Sequence, residues 1–261
     1  MRFFGRTPRA SGSNDDTSIA VVTSRPCFVR RLVNSGEVQG GAEVQQGYFL
    51  AIAGNIGVGK TELTHRLSEE LQWAAYYEPV IQNPYLDAFY ENMSRWSFHL
   101  QIYFLSERFK AQVEISKSPL PFIQDRTIYE DAEIFARTLR AQGSMTEVDY
   151  ENYVALFGCM VSFLRKPDLI LYLKASPDAL MQRIARRGRP SERSITLDYI
   201  ARLNYAYDDW MRRARAELEV LEIDTEQVAL QGETPAFRNL VNDLKRRYPH
   251  QVELRLDSGQ G

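Results

Sequence analysis

Short apolar runs alternate with longer amphipathic segments along the middle of this 261-residue chain. Four of the runs are compact, contain mainly aliphatic and aromatic residues and are bounded by polar positions, which predicts buried strands; a weaker run predicts a fifth. The four strands are predicted at Tyr48–Ala53, Pro121–Gln124, Leu169–Leu173 and Val220–Ile223, and the weaker one at Ala74–Tyr77.

The segments between these runs have the spacing of amphipathic helices. In Thr61–Leu71, for example, Leu63, Leu67 and Leu71 fall on one helical face. Strands that alternate with helices predict an α/β fold, a parallel sheet with helices on both faces and ligands at the carboxyl ends of the strands. The other helices are predicted at Met93–Lys117, Asp149–Leu164, Pro177–Arg187, Leu197–Glu219 and Glu233–Arg247.

Composition narrows the class of protein. The net charge of −2 argues against a nucleic-acid-binding protein, which would usually be basic, and no apolar run approaches the ~20 residues that cross a bilayer. Two cysteines make no disulfide framework and no metal cluster, and that count suits a reducing compartment. The sequence therefore predicts a cytoplasmic protein without membrane or nucleic-acid partners.

The two ends differ in composition from the middle. Residues 1–46 are rich in Gly, Ser, Thr and Arg without a sustained period and are predicted to be a disordered extension. Its first fourteen residues hold three arginines and no acid, so a transit peptide remains an alternative. Residues 47–248 are predicted to form one domain, followed by a flexible tail over 249–261.

The motif GxxxxGK[ST] follows the first predicted strand directly and precedes a predicted helix. Backbone N–H groups of such a loop surround a polyphosphate, a lysine contacts the phosphates, and a hydroxyl binds magnesium. The helix that follows directs its positive end toward the same anion. The sequence thus predicts a nucleotide site, with ATP and Mg²⁺ as ligands, formed by Gly54, Asn55, Ile56, Gly57, Val58, Gly59, Lys60 and Thr61.

Acidic and basic residues at the ends of other strands are candidates for the chemistry. Glu78 precedes Pro79, which keeps it extended where the chain leaves the sheet, and its carboxylate is a candidate base for an attacking hydroxyl. Asp125 is a candidate for the magnesium shell, and Arg126 for stabilising phosphoryl charge. A solvated acid and an exposed ion pair are the alternatives.

Two further groups are suggested by spacing. Five arginines between 183 and 193 surround Gly188 and Pro190, which is typical of a phosphate-clamping flap or of a solvated helix end. Gln101 and Arg108 lie two turns apart on one predicted helix, and Asp131 and Phe135 lie four residues apart on the next. An amide, a buried ion pair and an aromatic ring would together recognise a nucleobase.

Taken together, these segments resemble the deoxynucleoside kinases, and in particular their bacterial deoxyadenosine kinase branch. The likeness extends over about Tyr48 to Asp224, with six separate segments in the family's order. Thr127 occupies a position where serine is commoner in the family, and threonine retains the side-chain hydroxyl. The segments are the phosphate loop, Glu78-Pro79-Val80, Asn83-Pro84-Tyr85-Leu86, Arg95 to Leu105, Asp125 to Asp131, and Arg187-Gly188-Arg189-Pro190.

The resemblance implies a P-loop kinase fold with a five-stranded parallel sheet and an arginine-rich lid, usually in a homodimer. It implies Glu78 as the base for the deoxyribose 5′-hydroxyl, with Arg126 beside that oxygen and Asp125 facing the metal. Tyr90 and Glu192 would bind the 3′-hydroxyl. Gln101, Arg108 and Asp131 would read the base edge, with Phe135 stacked on it. The lid over the ATP phosphates would include Arg183, Arg187 and Arg189.

The activity predicted from this resemblance is ATP-dependent phosphorylation of a deoxynucleoside in nucleotide salvage. Deoxyadenosine is the expected acceptor, and deoxycytidine and deoxyguanosine are further candidates. A nucleoside monophosphate kinase of the thymidylate kinase kind is the rival, although Glu78 would repel an acceptor phosphate. A non-catalytic kinase-fold subunit is the other alternative, although Lys60, Asp125 and Arg126 are all present.

Overall fold

The computed structural model describes residues 47–77 and 83–249. Over these residues the chain forms a five-stranded sheet in the order β2-β3-β1-β4-β5, in which every neighbouring pair is parallel. The predicted five-stranded parallel sheet is thereby confirmed. The strands are β1 (Phe49–Gly54), β2 (Ala74–Tyr76), β3 (Phe122–Asp125), β4 (Leu169–Lys174) and β5 (Val220–Asp224).

Burial explains the order of the strands. β1 is buried along its whole length, and β4 along all but its last residue. Both are continuous apolar runs, which suit central strands of a parallel sheet because helices cover such a sheet on both faces. β2 and β5 are only partly buried and occupy the two edges. The register pairs Ile52 with Asp125, so the loops that follow β1 and β3 leave the sheet side by side.

Helices connect the strands. Among the described residues, α1 is Lys60–Leu71, α2 is Leu86–Glu91, α3 is Met93–Lys117 and α4 is Ile128–Glu130. A π-helical segment, Asp131–Ala136, continues α4 into α5 (Arg137–Ala141). The others are α6 (Glu147–Val161), α7 (Pro177–Arg187), the 3-10 turn Pro190–Ser194, α8 (Leu197–Ala214) and α9 (Pro235–Arg247).

Local signals account for the helix ends. α7 starts with a Ser176 cap and Pro177 in the first turn, and ends at Gly188 in the left-handed conformation. The predicted bounds of α3 and α7 are confirmed, as is the leucine face of α1. The predicted end of α8 at Glu219 was wrong: the helix ends at Ala214, because the chain must turn before it enters β5. α6 likewise ends at Val161 rather than at Leu164.

Within the described part of the chain, no helix combines the length and the apolar content needed to cross a membrane. The predicted domain over 47–248 stays a prediction. The predicted extension over 1–46 lies outside the described residues, as does all of the predicted tail over 249–261 except its first residue.

Candidate active site

The phosphate loop is shaped by backbone conformations that require glycine. Gly54 has φ of 146° and Gly57 has φ of 83°, a region that residues with a side chain rarely adopt. A Cβ on Gly54 would lie 2.6 Å from the carbonyl oxygen of Leu173, and one on Gly57 would lie 2.9 Å from Cγ1 of Ile184. The loop is therefore packed closely against β4 and α7, and its backbone conformation is fixed.

Lys60 lies beneath this loop. It is the first residue of α1, is only 7% exposed, and donates from Nζ to the carbonyl oxygens of Gly54 (2.8 Å) and Asn55 (3.1 Å). Its positive charge therefore lies inside the loop, at the amino end of a helix. This is the arrangement that binds polyphosphate.

The side chains of Thr61 and Asp125 meet beside the loop. The Thr61 hydroxyl donates to Oδ2 of Asp125 over 2.5 Å, and Asp125 is buried at the end of β3. A hydroxyl and a carboxylate suit Mg²⁺, which binds through few protein ligands and completes its shell with phosphates and water. Among the described residues, no group of three or more His, Cys, Asp or Glu side chains could hold a metal ion.

Arg126 follows directly in a strained conformation. Its φ is 66°, and its N–H donates to the carbonyl oxygen of Ile52, 3.1 Å away. This conformation is uncommon for a residue with a side chain, and such strain concentrates at functional sites. The guanidinium lies 4.4 Å from the centre of the Phe135 ring.

A cavity of about 870 Å³ connects the phosphate loop with the groups predicted for the acceptor. Its walls include Lys60 and Thr61 on the donor side, and Gln101, Asp131 and Phe135 on the other. Arg108 and Asp125 line a second cavity of about 250 Å³. The two cavities have Tyr77 and Arg126 in common.

The side chains predicted to read a base are brought together. Arg108 Nη1 lies 3.0 Å from both carboxylate oxygens of Asp131. The Arg108 side chain is 3% exposed and the Asp131 side chain is 1% exposed. Gln101, on the same face of α3 as Arg108, is buried and borders the cavity. The predicted Arg108–Asp131 pair is therefore confirmed as a contact. The helix that carries Asp131 and Phe135 is a π-helix, which the sequence analysis did not predict.

The arginine-rich segment closes another wall of the cavity. Arg187 contacts Glu192 through two hydrogen bonds of 2.6 and 3.1 Å, and Arg189 lies 3.5 Å from the same carboxylate. Glu192 is buried and borders the cavity together with Tyr90. Arg183 also borders it, but its guanidinium donates to the Thr225 hydroxyl (2.7 Å) and to the Val58 carbonyl oxygen (3.3 Å).

Glu78, the predicted base, lies outside the described residues. Tyr77, which precedes it in the sequence, borders both cavities. The role of Glu78 therefore stays a prediction.

Three side chains that contact the loop or the residues after β3 were not predicted from the sequence: Glu130, Tyr207 and Asn204. Glu130 is fully buried and accepts hydrogen bonds from Thr127 N–H (2.8 Å) and the Tyr207 hydroxyl (2.9 Å). Asn204 accepts from the Asn55 side chain over 2.6 Å. The pattern Thr127-x-x-Glu130, typical of a helix capping box, was the available signal for Glu130. Tyr207 and Asn204 carried no local signal.

Comparison with known proteins agrees with this geometry. Residues 50–247 match the family model of the deoxynucleoside kinases. The chain is 38% identical over 198 residues to the deoxyadenosine/deoxycytidine kinase of Bacillus subtilis, covering 75% of this chain and 91% of that protein. It is 37% identical over 207 residues to the deoxyadenosine kinase of Dictyostelium discoideum, covering 76% and 84% respectively.

A solved structure is similar over the same region. The deoxyadenosine kinase from M. mycoides, with the products dCMP and dCDP bound, superposes with a TM-score of 0.69 at 27% sequence identity. The likeness covers 76% of this chain and 99% of that one. Sequence, fold and site geometry thus lead to one conclusion: the chain is an enzyme of the deoxynucleoside kinase family.

Proposed function

We propose that this enzyme transfers the γ-phosphoryl group of ATP to the 5′-hydroxyl of deoxyadenosine, with deoxycytidine and deoxyguanosine as further acceptors. The main support is that a single cavity joins the phosphate loop to Gln101 and Asp131. Relatives named as deoxyadenosine kinases support the choice of base.

Phosphoryl transfer has a loose transition state, so catalysis consists mainly of positioning and charge stabilisation. Lys60 and the loop N–H groups hold the donor phosphates, and Arg126 stabilises charge on the transferred group. Glu78 orients the acceptor hydroxyl and accepts its proton. Thr61 and Asp125 would hold a magnesium ion, whose charge would offset that of the phosphates.

Base recognition depends on a polar edge inside an apolar pocket. Oε1 of Gln101 is buried and has no hydrogen-bond partner among the described residues, a costly state that a donor on the base would relieve. Asp131, fixed by Arg108, offers a carboxylate beside it. An amide and a carboxylate can together accept from and donate to an adenine edge, and Phe135 supplies a stacking face.

The sugar end is assigned to Tyr90 and Glu192. Both border the cavity, and Ser194 of the 3-10 turn donates to the Tyr90 carbonyl oxygen over 3.4 Å. We propose that they bind the 3′-hydroxyl, while Arg187 and Arg189 contact the ATP phosphates. Because Glu192 holds both arginines, the acceptor site and the lid share one carboxylate.

Two variants test this assignment. Lys60→Ala and Glu78→Gln should each lose on the order of 10²-fold or more in kcat/KM with deoxyadenosine, measured by ADP release. Tyr205→Phe, a change at a side chain that is 74% exposed, is the control and should retain wild-type activity. Near wild-type kcat/KM in either active-site variant would exclude the role given to that residue.

We also propose a homodimer that packs through α6. Of its fifteen residues only Tyr153 is buried, although most of the helix is apolar. Val148 is 65% exposed, and Phe163, just beyond the helix, is 72% exposed. The family resemblance implies a homodimer joined by helices, and an uncovered apolar face of this kind suits a second copy of the chain. We retain the cytoplasmic location as a prediction.

Light scattering tests the dimer. The wild-type chain should have twice the monomer mass, and Val154→Asp combined with Phe163→Asp should have the monomer mass. Tyr205→Asp places the same charge on α8 and should remain a dimer. A monomeric wild-type protein would contradict the proposal.

A further inference from the structure

Glu130 connects three parts of the site that are far apart in the sequence. Its Oε1 accepts from the Tyr207 hydroxyl (2.9 Å) and from the Gly54 N–H (3.4 Å), and its Oε2 accepts from the Thr127 N–H (2.8 Å). Gly54 is the first residue of the phosphate loop, and Tyr207 belongs to α8, which follows the lid. The Glu130 side chain therefore connects the phosphate loop, the residues that follow β3 and helix α8.

Two cations of the site lie close to this carboxylate. Nε of Arg126 is 3.9 Å from Oε1, and the charge of Lys60 also acts on this group. Complete burial raises the pKa of Glu130 above its usual range, although Arg126 and Lys60 act in the opposite direction. Because its partners from Gly54, Thr127 and Tyr207 all donate, an acceptor-only carboxylate satisfies every one of them.

A helix cap alone would not require this arrangement. The Thr127 contacts form the capping box of α4. The contacts to Gly54 and Tyr207, in contrast, span 76 and 77 residues and reach the phosphate loop and α8 respectively. Arg126, held at φ of 66°, directly precedes the capping box, and its N–H donates to the carbonyl oxygen of Ile52 in β1. A rearrangement of Glu130 would therefore displace the loop and Arg126 relative to each other.

We propose that Glu130 is a positioning residue. Its hydrogen bond to the Gly54 N–H and its ion pair with Arg126 hold the first N–H of the phosphate loop and the Arg126 guanidinium in fixed positions relative to each other, while Tyr207 orients its carboxylate. Glu130 does not touch the substrates. The proposal rests on the proposed function, since Arg126 is taken to act on the transferred phosphoryl group. A displacement of about 1 Å in such a site can cost on the order of 10²-fold in rate.

The test uses Glu130→Gln in the full chain, which removes the charge while retaining the size of the side chain. We expect kcat with ATP and deoxyadenosine to fall about 10- to 100-fold and the Kd for ATP, measured by calorimetry, to rise about 10-fold. The KM for deoxyadenosine should change little, because the acceptor pocket does not contact Glu130. Glu130→Asp retains the charge and should recover part of kcat.

Two further variants separate positioning from stability. Tyr207→Phe removes one donor but preserves the ring that stacks on Tyr172 at 5.9 Å, and should lower kcat. Its combination with Glu130→Gln should lose little more than Glu130→Gln alone, because the two residues act as one unit. Asp168→Asn is the control. Asp168 accepts the N–H of Phe49 (2.7 Å) at the opposite end of β1, so this variant should lower only the melting temperature.

Each outcome decides one claim. If Glu130→Gln folds and has wild-type kcat and wild-type ATP affinity, the positioning role is wrong and Glu130 serves only as a helix cap. If that variant does not fold, wild-type kcat in Tyr207→Phe would overturn the proposal equally. If the wild-type enzyme does not phosphorylate deoxyadenosine but Glu130→Gln weakens ATP binding, the proposed function fails and the positioning role stands.

Discussion

The hydroxyl of Thr61 and the carboxylate of Asp125 meet at 2.5 Å, although 64 residues separate them in the chain. The pairing of β1 with β3 brings them together, since Asp125 ends β3 and the loop that follows β1 leads directly into α1, which contains Thr61. A hydroxyl and a carboxylate beside a phosphate loop suit magnesium.

Asp125→Asn should therefore weaken the response to magnesium. We expect about a 10- to 100-fold loss of activity at a fixed low magnesium concentration, part of it recovered at high concentration, because a neutral amide is a poorer ligand. Thr61→Ser retains the hydroxyl and should stay close to wild type. For both variants, metal is first removed with a chelator, and the rate of ADP release is then measured as magnesium is added back. Full activity of a metal-free enzyme would contradict this prediction.

Gly57→Ala should damage the phosphate loop. The new Cβ would meet Ile184 at 2.9 Å and the Leu180 carbonyl oxygen at 3.2 Å, at a φ of 83°. We expect the KM for ATP to rise at least about 10-fold, from a loop displaced by about an ångström. Gly143→Ala is the matched control: its φ is 79°, and its Cβ would meet nothing within 4 Å. It should cost only about 1–2 kcal/mol of stability and leave the KM unchanged.

Asp131→Ala should destabilise the protein by about 3–5 kcal/mol, because it removes a buried carboxylate that contacts the buried Arg108 guanidinium. Urea denaturation measures the loss. Combining Arg108→Leu with Asp131→Leu removes both charges and should recover most of the stability, without recovering activity on deoxyadenosine. Recovery of activity as well would show that the pair does not read the base.

Tyr76 should titrate at high pH. It donates to Glu114 of α3, and this hydrogen bond, with burial, raises its pKa from about 10 to about 12. Because the folded pKa is raised, the contact stabilises the fold below about pH 10 and is lost as the pH rises toward 12. The difference in ultraviolet absorbance between the wild type and Tyr76→Phe, followed as the pH rises, should show one phenol that ionises with a midpoint near pH 12. A midpoint near 10 would contradict the contact.

Much of the fold could be predicted from the sequence because the strongest patterns coincide with the elements that bury most. β1 and β4 are continuous apolar runs, and the bounds of α7 follow from Pro177 and Gly188. The end of α8 could not be predicted in this way. Its continuation, Ala216 to Leu218, favours a helix, and only the position of β5 forces the chain to turn.

The candidate site divides in the same way. Phosphate-loop residues are consecutive, so the motif alone identifies Lys60 and Thr61. The Arg108–Asp131 contact followed from helical spacing together with the family resemblance. The bridge from Glu130 to Gly54 and Tyr207 depends on long-range packing, and the π-helix at Asp131 depends on a widened turn that has no simple sequence pattern.

The most direct test of the central claim is the acceptor specificity of the wild-type enzyme. ADP release from ATP and magnesium should be measured with deoxyadenosine and, in parallel, with its 5′-monophosphate. We predict a high kcat/KM with the nucleoside and little or no activity with the monophosphate, because the Glu78 carboxylate would repel the phosphate of that acceptor. The reverse preference would contradict the account and favour a nucleoside monophosphate kinase.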